Sequence, residues 1–292
     1  MDNSHFKLEG YDKLPTFKVT GGLGKHIVFS SLIPHIVKKY GRINVLSAYP
    51  EVFQNNGDIQ LSLGLIEYES FTKECSKVIE KIFYQEPYGT EFDFNNQHIL
   101  EWWAERYCLS VDMTDISPKV FLDQNLIQQS MNILRDIGDK FILVQFSGGQ
   151  SPIDFDGSNE YATNRMTNER NYPYQMAQIL VNKIRFQFPE YKIINVSLPN
   201  EYNLLGTERI PVNFRVYFEL VKHASVIISI DSMLQHISAT SGKNNTIVLW
   251  NSLSYTPKHK FGWKQHINLQ ERDLCIDYNE VIETIKKLSW RD

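Results

Sequence analysis

The stretch Val226-Ile227-Ile228-Ser229-Ile230-Asp231-Ser232-Met233-Leu234-Gln235-His236-Ile237-Ser238-Ala239 decides how this chain is read. Its first five residues are an apolar, β-branched run, the pattern of a strand buried on both faces. Asp231 and Ser232 end that run. Residues 232–241 then fit a helix stopped by Gly242, and 246–250 read as a second buried strand. Strand, helix and strand form a βαβ unit, whose strands lie parallel. Ligands of open α/β sheets bind outside the carboxyl ends of such strands, which is where Asp231, Ser232 and His236 fall. Simple capping of the helix by Asp231 or Ser232 would explain the same letters.

Working outward, the second half continues the series. Residues 141–146 and 191–197 are expected strands, 174–188 and 216–223 helices, and 278–288 a closing helix. The first half holds a strand at 14–20, the turn Gly21-Gly22-Leu23-Gly24, a helix at 26–40 stopped by Gly41, and a strand at 43–48. Less regular are a helix start at 51–56, a strand at 64–68 and a helical stretch at 76–83. Helices at 97–107, carrying Trp102 and Trp103, and at 126–137, ending at Gly138, complete it. Two consecutive βα series without repeats predict an α/β fold of two Rossmann-like, doubly wound domains facing a central cleft. The division is expected at Gly138, giving domains 1–138 and 139–292.

Bulk composition narrows the function classes. The 292 residues are 42% hydrophobic and 22% charged, ordinary for a globular protein. A net charge of −4 supplies no global basic field for non-specific nucleic-acid binding. The three cysteines, Cys75, Cys108 and Cys275, are odd in number and far apart, which argues against a disulfide framework or a structural zinc. No secretory leader or long apolar run is seen, so a cytoplasmic, membrane-free protein is expected. The 17 Phe, 15 Tyr and 5 Trp either fill the core or stack on sugars and bases.

Several polar motifs remain. The turn Gly21-Gly22-Leu23-Gly24 lets backbone approach a ligand, or is merely a tight turn; it is neither G-x-G-x-x-G nor a Walker loop. Ser147-Gly148-Gly149 opens a long loop, 147–171, in which Arg165 and Arg170 could belong to a lid. Trp102 and Trp103 fit the core or an acceptor surface. Lys258-His259-Lys260 with Trp263-Lys264 fits a solvated surface or an anion site.

The block Asp231-Ser232-Met233-Leu234-Gln235-His236-Ile237-Ser238-Ala239 resembles the D-[ST]-G-x-x-H-x-x-A signature of glycosyltransferase family 9, the ADP-heptose:lipopolysaccharide heptosyltransferases. Ser241-Gly242-Lys243 resembles the family's small-residue turn after that signature, and Ile247-Val248-Leu249-Trp250-Asn251 the strand after the turn. Gly21 to Gly24 resembles the family's first loop, Arg170-Asn171-Tyr172-Pro173 its K-x-W-P element, and Pro199-Asn200-Glu201 its g-x-x-x-E element. The same glycine turn is also similar to the GGLGNQ loop of α-1,2-fucosyltransferases, another family of the GT-B superfamily.

The resemblance implies a GT-B glycosyltransferase with an acceptor-binding first domain and a nucleotide-sugar donor-binding second domain, its last helix free to pack back on the first. It implies that Asp231, Ser232 and His236 hold the donor's diphosphate and ribose, that Arg170 balances phosphate charge and that Glu201 binds the nucleoside. Gly148 and Gly149 join them as donor-loop residues. No metal or other cofactor is implied beyond the nucleotide-sugar co-substrate. Partners are the donor and an acceptor glycan such as lipopolysaccharide core, with a hydroxymethylated DNA base as the alternative. A non-catalytic nucleotide-sugar-binding protein is the rival class. Two departures matter. Met233 replaces the signature glycine, and Lys25 stands where the family has its aspartate base. That leaves His26, Lys25 or a carboxylate such as Asp93 or Glu91 as the catalytic base.

Overall fold

A computed structural model describes residues 14–65, 82–93, 97–148, 170–197, 201–251, 261–270 and 276–289. The chain divides into two compact units, one holding the described residues up to Asp93 with Leu100–Phe121, the other 97–99 and the residues from Leu122 onward.

In the first unit the sheet order is β3-β2-β1-β4, every pair parallel. These strands are β1 (Thr16–Val19), β2 (Ile43–Ser47), β3 (Ile59–Gly64) and β4 (Ile82–Tyr84). All five residues of β2 are buried, as a central parallel strand requires. Two sequence expectations are corrected here. The strand foreseen at 64–68 lies earlier, at 59–64, and 66–68 fall outside the described residues. Ile82 and Phe83, foreseen as the end of a helix, belong with Tyr84 to a strand because Phe83 pairs with Phe17 across the ladder, their rings stacked 4.7 Å apart. Tertiary stacking overrides a weak local helical pattern.

The helix foreseen at 26–40 is two: α1 (Leu23–Ser30) and α2 (Ile33–Tyr40). Pro34 causes the break, since it has no N–H and its ring would strike a carbonyl one turn back. At 51–56 there is only a 3-10 turn, Pro50–Val52. Helix α3 (Ile99–Arg106) buries both Trp102 and Trp103. Edge-on and stacked contacts join Phe17, Phe29, Phe83, Trp103 and Tyr107. These aromatics and the two tryptophans are core, while Tyr84, Tyr88 and Phe121 are exposed.

The second sheet runs β6-β5-β7-β8-β9, again parallel throughout. Its strands are β5 (Phe141–Gln145), β6 (Lys192–Asn195), β7 (Val226–Ile230), β8 (Thr246–Trp250) and β9 (Ile267–Gln270). The edge strand β9 escaped the sequence, being four residues with mixed polarity. Helix α4 (Gln124–Ile137) packs on α6 (Tyr217–His223), with Asp123 capping α4 through Leu126 N–H and facing Arg215. That docking moves the division from Gly138 to the front of α4. Helices α5 (Tyr174–Gln187) and α8 (Tyr278–Ser289) pack together, and Val281, Ile282 and Ile285 enter the same core as Leu180, Val181 and Ile184. The last helix thus belongs to the second unit's own core. Helix α7 (Met233–Ser238) follows β7. Among the described residues no helix is long and apolar enough to cross a membrane.

Candidate functional site

In the second unit, Asp231 stands one residue past the carboxyl end of β7, and Gly148 three residues past the end of its neighbour β5. A Cβ built on Gly148 would lie 2.5 Å from Ser232 Oγ, so the two loops touch where only glycine fits. Gly148 N–H donates to Asn171 Oδ1 at 3.1 Å, and Tyr172 N–H to the Phe146 carbonyl at 3.0 Å. Tyr172 also donates its hydroxyl to the Ile276 carbonyl, 2.7 Å away. These bonds fix the segment that carries Arg170. Its Nε lies 3.9 Å from Asp231 Oδ2, while Gln235 Nε2 donates to Asp231 Oδ1.

Asp231 is 6% exposed and Arg170's side chain 27% exposed. A buried carboxylate is a poor direct partner for a diphosphate, because like charges repel at low dielectric. Asp231 instead orients the guanidinium and the Gln235 amide, and Arg170 is the group open to an anion. Ser232 makes no side-chain capping bond, contrary to the expectation of a capped helix. Nor is the first turn of α7 all available, since Leu234 N–H donates to Gln145 Oε1 at 2.9 Å.

His236 is 5% exposed and burial pushes its pKa to about 3, with His266, His98 and Arg170 adding in the same direction. It is neutral. Trp263 donates its indole N–H to His236 Nδ1 at 3.1 Å and is itself 3% exposed. The surface role foreseen for Trp263 is corrected: it is a buried partner of a site residue, while Lys264 is exposed. Glu201 is half-buried on the loop beyond β6, its backbone carbonyl accepting from Arg209. Gly149, Arg165, Pro199, Asn200 and Lys258-His259-Lys260 lie outside the described residues, as do Cys75 and Cys275.

The first unit carries a second polar cluster, at the carboxyl ends of β1 and β4. Gly21 has φ of +88°, and its missing Cβ would meet Lys25 Cδ at 3.3 Å, so glycine lets the Lys25 stem fold against the turn. Gly22 caps α1, and Gly24 lies in its first turn. Lys25 Nζ sits 2.6 and 2.7 Å from the two oxygens of Glu86. Glu86 Oε2 accepts from the Thr20 hydroxyl at 2.8 Å and from the Tyr84 hydroxyl at 3.2 Å. Trp103 anchors this loop by donating its indole N–H to the Gln85 carbonyl at 3.0 Å. Burial lowers the Lys25 pKa, and the Glu86 charge opposes that.

His26 has no exposure, its Nδ1 2.9 Å from the Gly22 carbonyl and Nε2 3.1 Å from that of Val19. Burial pushes its pKa down to about 4. Both nitrogens face backbone carbonyls in a fully buried ring, so its lone pair is not open to an acceptor hydroxyl. His26 fastens the glycine turn to β1, and the catalytic role foreseen for it fails on geometry. Lys25 is likewise committed to Glu86. Of the two alternative carboxylates, Glu91 is paired with Arg106, and the Asp93 side chain lies outside what is described.

Sequence reasoning missed Glu86, Gln145 and Gln235, and it placed Trp263 in a basic segment, at the surface or in an anion site, rather than against His236. Gln145 had a signal: it is the polar end of the otherwise apolar strand Phe-Ile-Leu-Val-Gln, buried at all five positions. Among the described residues no group of three or more His, Cys, Asp or Glu could hold a metal ion. An open hollow lined by Leu134, Gly138, Phe141 and His223 lies at the amino end of β5, opposite the Asp231 edge.

No protein-family model and no curated protein matches this chain. Solved structures do. The chain is similar to a glycosyl transferase family 9 protein from Veillonella parvula, with 13% identity and a TM-score of 0.66 over 96% of this chain and 98% of that one. It is similar to E. coli ADP-heptose lps heptosyltransferase II at 12% identity and a TM-score of 0.62, covering 95% and 99% of the two chains. An E. coli heptosyltransferase with ADP gives 10% identity and a TM-score of 0.57, covering 94% and 99%. At such identities the likeness shows the fold: an α/β chain built on two parallel sheets.

Proposed function

We propose that this protein is a glycosyltransferase that moves a sugar from a nucleotide-sugar to an acceptor hydroxyl. The observation that carries the reading is the Arg170-Asp231-Gln235 array at the carboxyl ends of β5 and β7, beside Gly148 and His236. A cation held by a buried carboxylate at a strand tip suits a diphosphate. The fold is shared from end to end with sugar transferases, one of them solved with ADP.

In this reading the second unit binds the donor, with Arg170 and the His236 N–H facing the phosphates and Glu201 near the nucleoside. The first unit, through 121 rather than 138, supplies the acceptor side and the base. Glu86 is that base, since it is the carboxylate held against the glycine turn and its side chain is 30% exposed. As the acceptor oxygen bonds the anomeric carbon, its proton passes to Glu86. The bond from that carbon to the diphosphate oxygen breaks, and its electron pair leaves with the nucleoside diphosphate, whose charge Arg170 balances. Lys25 and Thr20 hold the carboxylate in place. The acceptor we favour is a glycan.

Titration with ADP-, UDP- and GDP-linked sugars tests this, because a ligand that binds only the folded state raises the unfolding midpoint. One nucleotide class is expected to shift it and to be released as the diphosphate when glycan acceptors are supplied. A chain indifferent to all three is not a nucleotide-sugar enzyme. Binding without any turnover would make it a donor-binding protein instead.

A further inference from the structure

We infer that Trp263 is a positioning residue that makes His236 a hydrogen-bond donor toward the ligand, a step that rests on the nucleotide-sugar reading above. An indole N–H can only donate. Trp263 Nε1 lies 3.1 Å from His236 Nδ1, so that nitrogen must present its lone pair. In a neutral imidazole the single proton is then on Nε2. The ring's two nitrogens look to different sides, so fixing Nδ1 on Trp263 turns the N–H of Nε2 away from it.

The surroundings hold this arrangement rigid. Trp263 is buried, and its neighbour Gly262 bonds through its carbonyl to His98 Nε2 at 3.0 Å. On the far side of α7, Ser238 donates its hydroxyl to the Gln235 carbonyl at 2.8 Å. Its oxygen can therefore only accept from His266 Nε2, 3.2 Å away. His266 is thereby fixed in the same tautomer, and two indole and imidazole rings bracket the helix that carries Gln235 and His236. The charged and titratable groups acting on the His236 ring include His266, His98 and Arg170, and the Arg170 guanidinium in turn faces Asp231. A neutral N–H donor beside the Arg170 cation recognises oxygen acceptors, phosphate or hydroxyl, and cannot itself remove a proton.

Nitrogen NMR of histidine-labelled protein reads the tautomer directly, the His236 signals being assigned with His236→Gln. Near pH 7, Nδ1 is expected to be unprotonated and Nε2 protonated in the wild type. In Trp263→Phe, which keeps a ring in place but removes the donor, the two forms are expected to mix. Affinity for ADP, UDP and GDP, used as probes, should fall about threefold to tenfold, the range for one lost hydrogen bond. A glutamine at 236 can place its amide N–H near the position of Nε2 without help from Trp263. So, whatever affinity His236→Gln itself retains, Trp263→Phe should add no loss in that background, as in a double-mutant cycle. A wild-type signal showing the proton on Nδ1 overturns the inference. So does an equal loss from Trp263→Phe in both backgrounds, which would mean packing alone. If no nucleotide binds the wild type while the tautomer is as stated, the transferase reading fails and the tautomer assignment stands.

Discussion

Lys25 Nζ lies 2.6 Å from Glu86 Oε1, joining the glycine turn after β1 to the loop after β4. The pair is asymmetric: the Lys25 side chain is 6% exposed and that of Glu86 30%. Loss of Glu86 leaves the Lys25 ammonium buried without its counter-charge, whereas loss of Lys25 leaves a carboxylate that water can reach. Glu86→Ala is expected to destabilise by about 2–3 kcal/mol, less than a fully buried broken pair because Glu86 is partly solvated. Lys25→Met should cost clearly less. Chemical denaturation of the two variants checks the order, and equal or reversed costs would show that the ammonium is well hydrated.

Glu86→Gln separates structure from chemistry. It keeps the shape and can still accept from Thr20, but it cannot take a proton. Sugar transfer should drop by about a hundredfold or more, the usual scale for a lost general base, while nucleotide affinity is unchanged. Undiminished turnover would move the base to another residue.

Gly148 against Ser232 makes a second cycle. Gly148→Ala puts a methyl where Ser232 Oγ stands, and overpacking of this kind costs about 1–3 kcal/mol. Removal of the hydroxyl in Gly148→Ala/Ser232→Ala should recover most of that loss, because the 2.5 Å clash is with Oγ and the next atom, Ser232 Cβ, is at 3.3 Å. A double variant no better than the single one would place the strain elsewhere.

Three buried histidines give the fold a pH signature. Burial holds His26 near 4 and His236 and His266 near 3, all below the free value of 6.5. The unfolded chain therefore binds protons that the folded chain refuses, and their contribution is complete above about pH 6.5 and lost as pH falls toward the folded values. Well inside that window each histidine adds a slope of about 1.4 kcal/mol per pH unit. Urea midpoints measured from neutral to acid pH should fall steeply, and less steeply in His26→Asn. A flat profile would mean that these rings are not closed off.

Much of this was legible from the letters. Strands at 141–145, 226–230 and 246–250 and helices at 174–187 and 278–289 carry long apolar or 3.6-residue patterns that tertiary packing had no reason to override. The short β4 and β9 were not legible, because three or four residues give no period and their pairing partners lie far away in sequence. Asp231, Arg170, Gly148 and His236 could be placed from strand tips and motif spacing. Their roles could not. Spacing does not say that Asp231 holds Arg170 rather than ligand, or that His26 turns both nitrogens onto carbonyls. Glu86 was hidden because the stretch before it looked helical, and Trp263 because its neighbours Lys258, Lys260 and Lys264 gave its segment a surface composition.

The measurement that bears most directly on the whole reading is nucleoside diphosphate binding by Arg170→Met beside the wild type. The wild type should bind ADP, UDP or GDP. The variant should bind it about tenfold to a hundredfold more weakly, the scale of a charge-assisted contact, while Glu86→Gln binds as the wild type does. Equal affinity in Arg170→Met, or no binding of any of the three by the wild type, would contradict a donor site at the Asp231 edge of the second sheet.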